Sequence, residues 1–331
     1  MSFEIGVLHK SRPHLLADLA ELLLLVGYDN LDELSQAKLE LLSKEMPAAS
    51  DSEDASDDDD DDEHAIDKIE EVDRCIEDCW QLLEYREAAF DDFYPFRVIG
   101  NQLVWKAGAR TEKQCAYFLL LICSRLRSFR IKGFPQKAAK EFTSFCKEAL
   151  KALAPPGATV RVFDANSDDR RMHYGTNLRN AIKVLAKEIG AHYINEAEIA
   201  KIPTSGDMGL DLVSSRKFVD FACGAYSIFG QCGAQENEWP TKTLEAHPIK
   251  FQGLFTLLNQ PDNLMFIPIS YRDSTGDWVA GYRSSGCLLL DRQRILELVN
   301  ERWADCLEGI KARWENVLPS VVDLSRPAKA A

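Results

Sequence analysis

No apolar run in this chain approaches the ~18 residues a membrane-crossing helix needs; the longest, 22–26 and 117–123, are far shorter. No membrane partner is therefore expected. The N-terminus has no basic stretch leading into an apolar core and a small-residue cleavage site, so a secretory leader is not expected and the cytoplasm is the expected location. There is no CxxC motif, and the nine cysteines are odd in number and scattered. In an intracellular chain that makes reduced, buried thiols the expectation, and it gives a Cys/His zinc site no support. Basic residues are the minority, 39 against 53 acidic ones. The deficit is local, however. Ten of the acids lie in 51–63, and without them the excess of fourteen falls to four. Overall acidity thus does not exclude a nucleic-acid partner.

What is present is a globular composition, 46% hydrophobic and 28% charged, over 331 residues, enough for two domains. Helical spacing is expected over 13–26, 31–43 and 65–88, with a hairpin at 96–98 and 103–105 around Gly100-Asn101. The acidic run, about 47–64, has like charges and nothing to bury, which predicts disorder. Thr111 and Gln114 have capping-box spacing ahead of a helix to about 127, and another helix is expected over 135–153. Ala154-Pro155-Pro156-Gly157 then marks a boundary, giving a mainly helical domain over 1–155 and a second domain over 156–331. In the second, a helix over 177–189 closed by Gly190 precedes short strands at 210–214, 225–231, 264–271, 278–282 and 286–290. Asp291 caps a final helix expected over 292–317. Helix, strands and helix predict an α/β fold with a mixed sheet flanked by helices.

The densest signal is the stretch 202–242. A turn, Gly206-Asp207-Met208-Gly209, opens onto Leu210-Asp211-Leu212-Val213, which puts a carboxylate in an apolar strand. Such a group is costly unless it is paired, metal-bound or facing a cleft. Twenty residues on, the run Tyr226 to Gly230 ends in Gln231. Adjacent strands would set Asp211 beside Gln231 at one end of a sheet, an all-oxygen arrangement suited to Mg²⁺.

The helix ending at Gly190, the run GDMGLDLV and the strand ending in FGQC resemble the restriction-endonuclease-like PD-(D/E)XK nucleases, in particular the Mrr-like branch in which Gln replaces the second acid. The likeness covers about a fifth of the chain. It implies a restriction-endonuclease-like core and hydrolysis of DNA with Mg²⁺ or Mn²⁺. Asp211 and Gln231 would be metal ligands, and Asp207 an outer ligand or a turn residue. The lysine this family places two residues after the Gln is Gly233 here. The resemblance therefore hands its water-positioning role to Lys242, or else to Lys217 or Lys201. It also implies an anti-phage defence setting, a partner NTPase or other subunit, and a possible homo-oligomer. The rival is a degenerate, non-cutting DNA-binding subunit.

Two other features bear on partners. The stretch 113–140 carries seven bases and no acid, making Arg125, Arg127, Arg130 and Lys132 candidate contacts to a DNA backbone, or simply a solvated face. Cys232, with His247 as base, is open to a thiol-hydrolase reading.

Overall fold

The computed structural model describes residues 3–6, 11–45, 61–220, 222–234, 243–279 and 286–322, with the side chains of 45 and 61–71 left aside. The fold is mixed α/β. No helix among these residues is long and apolar enough to cross a membrane. The chain forms two compact units, and neither is continuous in sequence. One comprises 1–138, 269–282 and 314–331; the other comprises 139–268 and 283–313. The expected division at 155–156 is thus replaced by an interleaved one. The helix before the Pro-Pro break gives the second unit a buried face, and two later segments return to the first.

The first unit contains α1 (Pro13–Leu25), β1 (Glu33–Ser35), α2 (Gln36–Glu45), α3 (Asp61–Phe90), β2 (Phe96–Ile99), β3 (Gln102–Trp105), α4 (Glu112–Ser124) and the start of α5 (Phe134–Leu153). Helix α1 is buried on every side, packed by α3 and α4. It carries Asp18 and Glu21 into the core. The fully buried Arg86 of α3 answers both, at 2.8 Å and 2.9 Å. Tyr94 and Tyr117 donate to the two oxygens of Glu21 at 2.9 and 2.7 Å. Burying charge is costly unless it is paired, and here Arg86 faces both carboxylates while Glu21 is also hydrogen-bonded. The hairpin of β2 and β3 forms as expected, and β1 joins it as a third antiparallel strand. That pairing takes residues 33–35 out of the helix expected over 31–43. The capping box is present: Gln114 N donates to Thr111 Oγ1 at 3.2 Å and Thr111 N to Gln114 Oε1 at 3.1 Å. Most of the acidic segment lies outside the described residues, but its last positions, 61–64, open α3 rather than a disordered stretch.

In the second unit, α5 continues, followed by β4 (Thr159–Val162), α6 (Leu178–Glu188), β5 (Tyr193–Ile194), α7 (Glu196–Ile199), β6 (Leu212–Arg216), β7 (Tyr226–Cys232), β8 (Phe255–Thr256), β9 (Asp262–Phe266), β10 (Leu288–Leu290), α8 (Arg292–Glu301) and α9 (Trp303–Val317), whose residues from 314 on belong to the first unit. Strands β4, β6, β7, β9 and β10 form one mixed sheet in sequence order. β6 is antiparallel to both neighbours, while β7, β9 and β10 run parallel. Helix α6, capped by Asn177, lays Ala181, Ile182, Leu185 and Ile189 against Val213 and Phe229 of the sheet. Each of the Ile, Leu, Val and Phe side chains contributes about 1.5–3 kcal/mol by leaving water. Gly190 ends α6 at φ +72°; a Cβ there would meet the backbone of Gly224 at 2.8 Å. Residues 267–271 leave the ladder that ends at Phe266. Trp278 makes only a single bridge, to Arg272, and 280–285 lie outside the described residues. Asp291 caps α8, its Oδ1 accepting from Arg294 N at 3.2 Å. The expected single terminal helix is two, because Arg302 leaves helical geometry and turns its guanidinium to the Lys151 carbonyl.

Candidate functional site

The antiparallel pairing of β6 with β7 matches Leu212 with Gly230, so the next pair outward is Asp211 and Gln231. Asp211 N donates to the Gly230 carbonyl at 3.0 Å, which fixes that register. Alternation then puts both side chains on the face shared by Val213 and Phe229, the face covered by α6. The two residues stand side by side at one end of the sheet.

The carboxylate of Asp211 is partly buried, and its Oδ2 accepts from Cys232 N at 2.7 Å. Burial pushes its carboxyl up to about 7; Asp207, Asp164 and Glu245 push the same way, and the Cys232 amide opposes them. Gln231 is buried, and its Nε2 donates to Glu245 Oε2 at 2.6 Å. Among the described residues, its Oε1 is buried with no hydrogen-bond partner. A lone buried acceptor is expensive, about 1–3 kcal/mol. An amide oxygen of this kind, opposite an acid that has difficulty ionising, is a donor set that a hard cation would relieve. Glu245, which the sequence reading missed, brings a third oxygen group. Its only signal was position: it follows the long segment after β7 and belongs to no motif.

The Gly-rich turn builds the wall of this site. Gly206 and Gly209 have φ of +93° and +79°, and Met208 is also left-handed, at +62°. A Cβ on Gly209 would stand 2.8 Å from the Glu245 Cβ, so the glycine lets that segment approach. Asp207 spends Oδ1 on Gly209 N at 3.0 Å and Oδ2 on Ala165 N at 3.4 Å. Those bonds make it the residue that holds the turn. Behind the turn, the fully buried Arg170 donates to the carbonyls of Phe163, Gly175 and Gly206 and stacks on the Phe163 ring. Arg170 is thus a positioning residue, not a surface cation.

Among the described residues, no group of three or more His, Cys, Asp or Glu side chains is set to hold a metal. Lys242 lies outside the described residues. Lys201 pairs with Glu198 at 2.6 Å, and Lys217 follows the far end of β6. Arg125 is corrected as a backbone contact for DNA: it is buried and donates to the Ile5 carbonyl at 2.8 Å. Arg127, Arg130 and Lys132 are exposed, and Arg130 pairs with Glu4 at 2.7 Å. The Cys232 thiol meets Cys146 and Thr143 of α5 and is raised well above its ordinary value, chiefly by burial. His247 instead accepts from Ile249 N through Nδ1. The thiol-hydrolase reading therefore loses both its nucleophile and its base.

Comparison with models of protein families, with curated proteins and with solved structures gives no match.

Proposed function

We propose that this chain is a divalent-cation-dependent phosphodiesterase acting on DNA, a nuclease of the PD-(D/E)XK kind in the defence setting that resemblance implies. One observation carries the reading: Gln231, whose buried Oε1 has no hydrogen-bond partner among the described residues, lies in register with Asp211. Asp211 and Gln231 would hold Mg²⁺ or Mn²⁺, with Glu245 beside them. When bound, the cation would polarise a phosphate and make a water a better nucleophile. The protein's own part is to present oxygens. Cys232 N orients one oxygen of Asp211, Gln231 Nε2 orients Glu245, and Arg170 steadies the turn that precedes Asp211. In this reading Lys242 positions the water, and Arg127, Arg130 and Lys132 contact the DNA backbone.

A second reading has its own support. Among the described residues no group of three or more His, Cys, Asp or Glu side chains is set to hold a metal, and neither Asp211 nor Gln231 is joined by a lysine amine. A chain of that kind would bind DNA without cutting it. Incubation of the full chain with plasmid and linear DNA in Mg²⁺ or Mn²⁺ separates the two. For the nuclease, cleavage is expected that EDTA abolishes and that Asp211→Ala lowers at least about a hundredfold. Retained duplex binding without cutting, unchanged in Asp211→Ala, would overturn it in favour of the second reading.

A further inference from the structure

At the opposite end of β6 from Asp211, five residues or roughly 16 Å along the strand, lies a cavity of about 510 Å³. Its walls come from β4, α6, the end of β6 and the turn before α6, and they carry Arg161, His173, Lys187, Glu188, Arg216 and Lys217. Five of these six side chains are basic in type, in a protein with a net charge of −14. The acid does not balance them. Glu188 is buried, ion-paired with Arg161, and accepts from Ser215 Oγ at 3.0 Å. Arg216 gives one donor to the Gly157 carbonyl at 3.2 Å. Lys187 and Lys217 are exposed and have no ion-pair partner among the described residues. Cations held close together repel one another, and a concave wall focuses their field. An uncompensated group of this kind is a site for an anion. The volume falls within the roughly 300–1,000 Å³ of small-ligand pockets.

We infer that this cavity binds phosphate-bearing ligands, with Lys187, Arg216 and Lys217 as the cations that meet the phosphates and the Arg161–Glu188 pair as its rigid floor. Arginine suits bidentate contact to phosphate oxygens and lysine acts as a point charge. The phosphates could belong to a free nucleotide or to the backbone of a nucleic acid. Either way the site is separate from the Asp211–Gln231 pair and needs no metal there.

The test uses the full chain in EDTA, so the outcome does not depend on the nuclease reading. Calorimetric titration with tripolyphosphate, and then ATP, is expected to show saturable binding. Lys187→Ala/Lys217→Ala should weaken it about tenfold or more, and Arg216→Ala should weaken it in the same direction. The charge-matched control Lys38→Ala/Lys250→Ala should stay within about twofold. Equal thermal midpoints without ligand certify that the variants fold, as expected for exposed lysines. Anisotropy of a short labelled duplex distinguishes the sources. Displacement by tripolyphosphate, with an equal loss in the double variant, identifies a nucleic-acid backbone. Duplex binding that ignores the double variant, beside lost ATP binding, identifies a free nucleotide. No saturable binding of any of the three probes, or equal losses in the cavity and control variants, would overturn the inference.

Discussion

Asp211 concentrates the cost of the candidate site in a single side chain. In the unfolded chain its carboxyl ionises near 3.8, whereas in the fold burial and three neighbouring acids hold the proton until about 7. The native state therefore binds the extra proton across that window. Its contribution to stability is present below about 4, falls as the pH rises toward 7, and is lost above it. Asp211→Asn keeps an acceptor for Cys232 N and removes the charge. It is expected to gain about 1–3 kcal/mol at pH 8 and to flatten the decline between pH 4 and 7, measured by urea unfolding. The same pH 8 measurement in Mg²⁺ should raise the midpoint of the natural protein and leave that of the variant where it was. An unchanged pH slope in Asp211→Asn would place the cost elsewhere.

The local elements show where sequence carries structural information and where it does not. Gly209→Ala tests the turn. Its left-handed φ and the approach of Glu245 leave no room for a methyl group, so a loss of about 1–3 kcal/mol is expected, together with loss of the Mg²⁺-dependent rise in midpoint. A variant as stable and as metal-responsive as the natural protein would disprove that role for the glycine. The turn was legible because glycine spacing is a local signal. So were the caps at Thr111 and Asp291, whose side chains bond amides three residues away. The register of Asp211 with Gln231 was legible too, from two short apolar runs. What could not be read depends on residues distant in sequence. Glu33, Leu34 and Ser35 pair with β3, overriding a helical pattern. Arg302 breaks a helix with neither glycine nor proline present. Asp18 and Glu21 sit three apart like a solvated stripe, yet they are buried because Arg86, some 65 residues on, meets them. Arg125 reads as a surface cation in a basic run, and only the fold reveals that it serves Ile5. Glu245 joins the site by tertiary approach alone.

The interleaving belongs to the whole molecule. The Pro-Pro break after α5 looked like a domain edge because breakers mark linkers, but a break in local structure is not a break in packing. Phe142, Phe145, Cys146, Ala149 and Leu150 of α5 are all fully buried, and they fall in the second unit. A fragment of 156–331 leaves that wall behind, and a fragment of 1–155 lacks 269–282 and 314–331. Each piece expressed alone is expected to show no cooperative thermal transition, while the full chain shows one. A sharp transition in either fragment would refute the interleaved arrangement.

The return of the chain to the first unit also governs its order of manufacture. Val317, Leu318 and Val321 are fully buried there, and the turn Leu318–Ser320 packs on α4. A ribosome releases α4 some two hundred residues before it supplies that cover. Helix α4 therefore waits, its apolar surface open, until residues 317–321 are made, a period when chaperone capture or aggregation competes with folding. Messages cut short or chains clipped before residue 314 then yield a first unit that never closes.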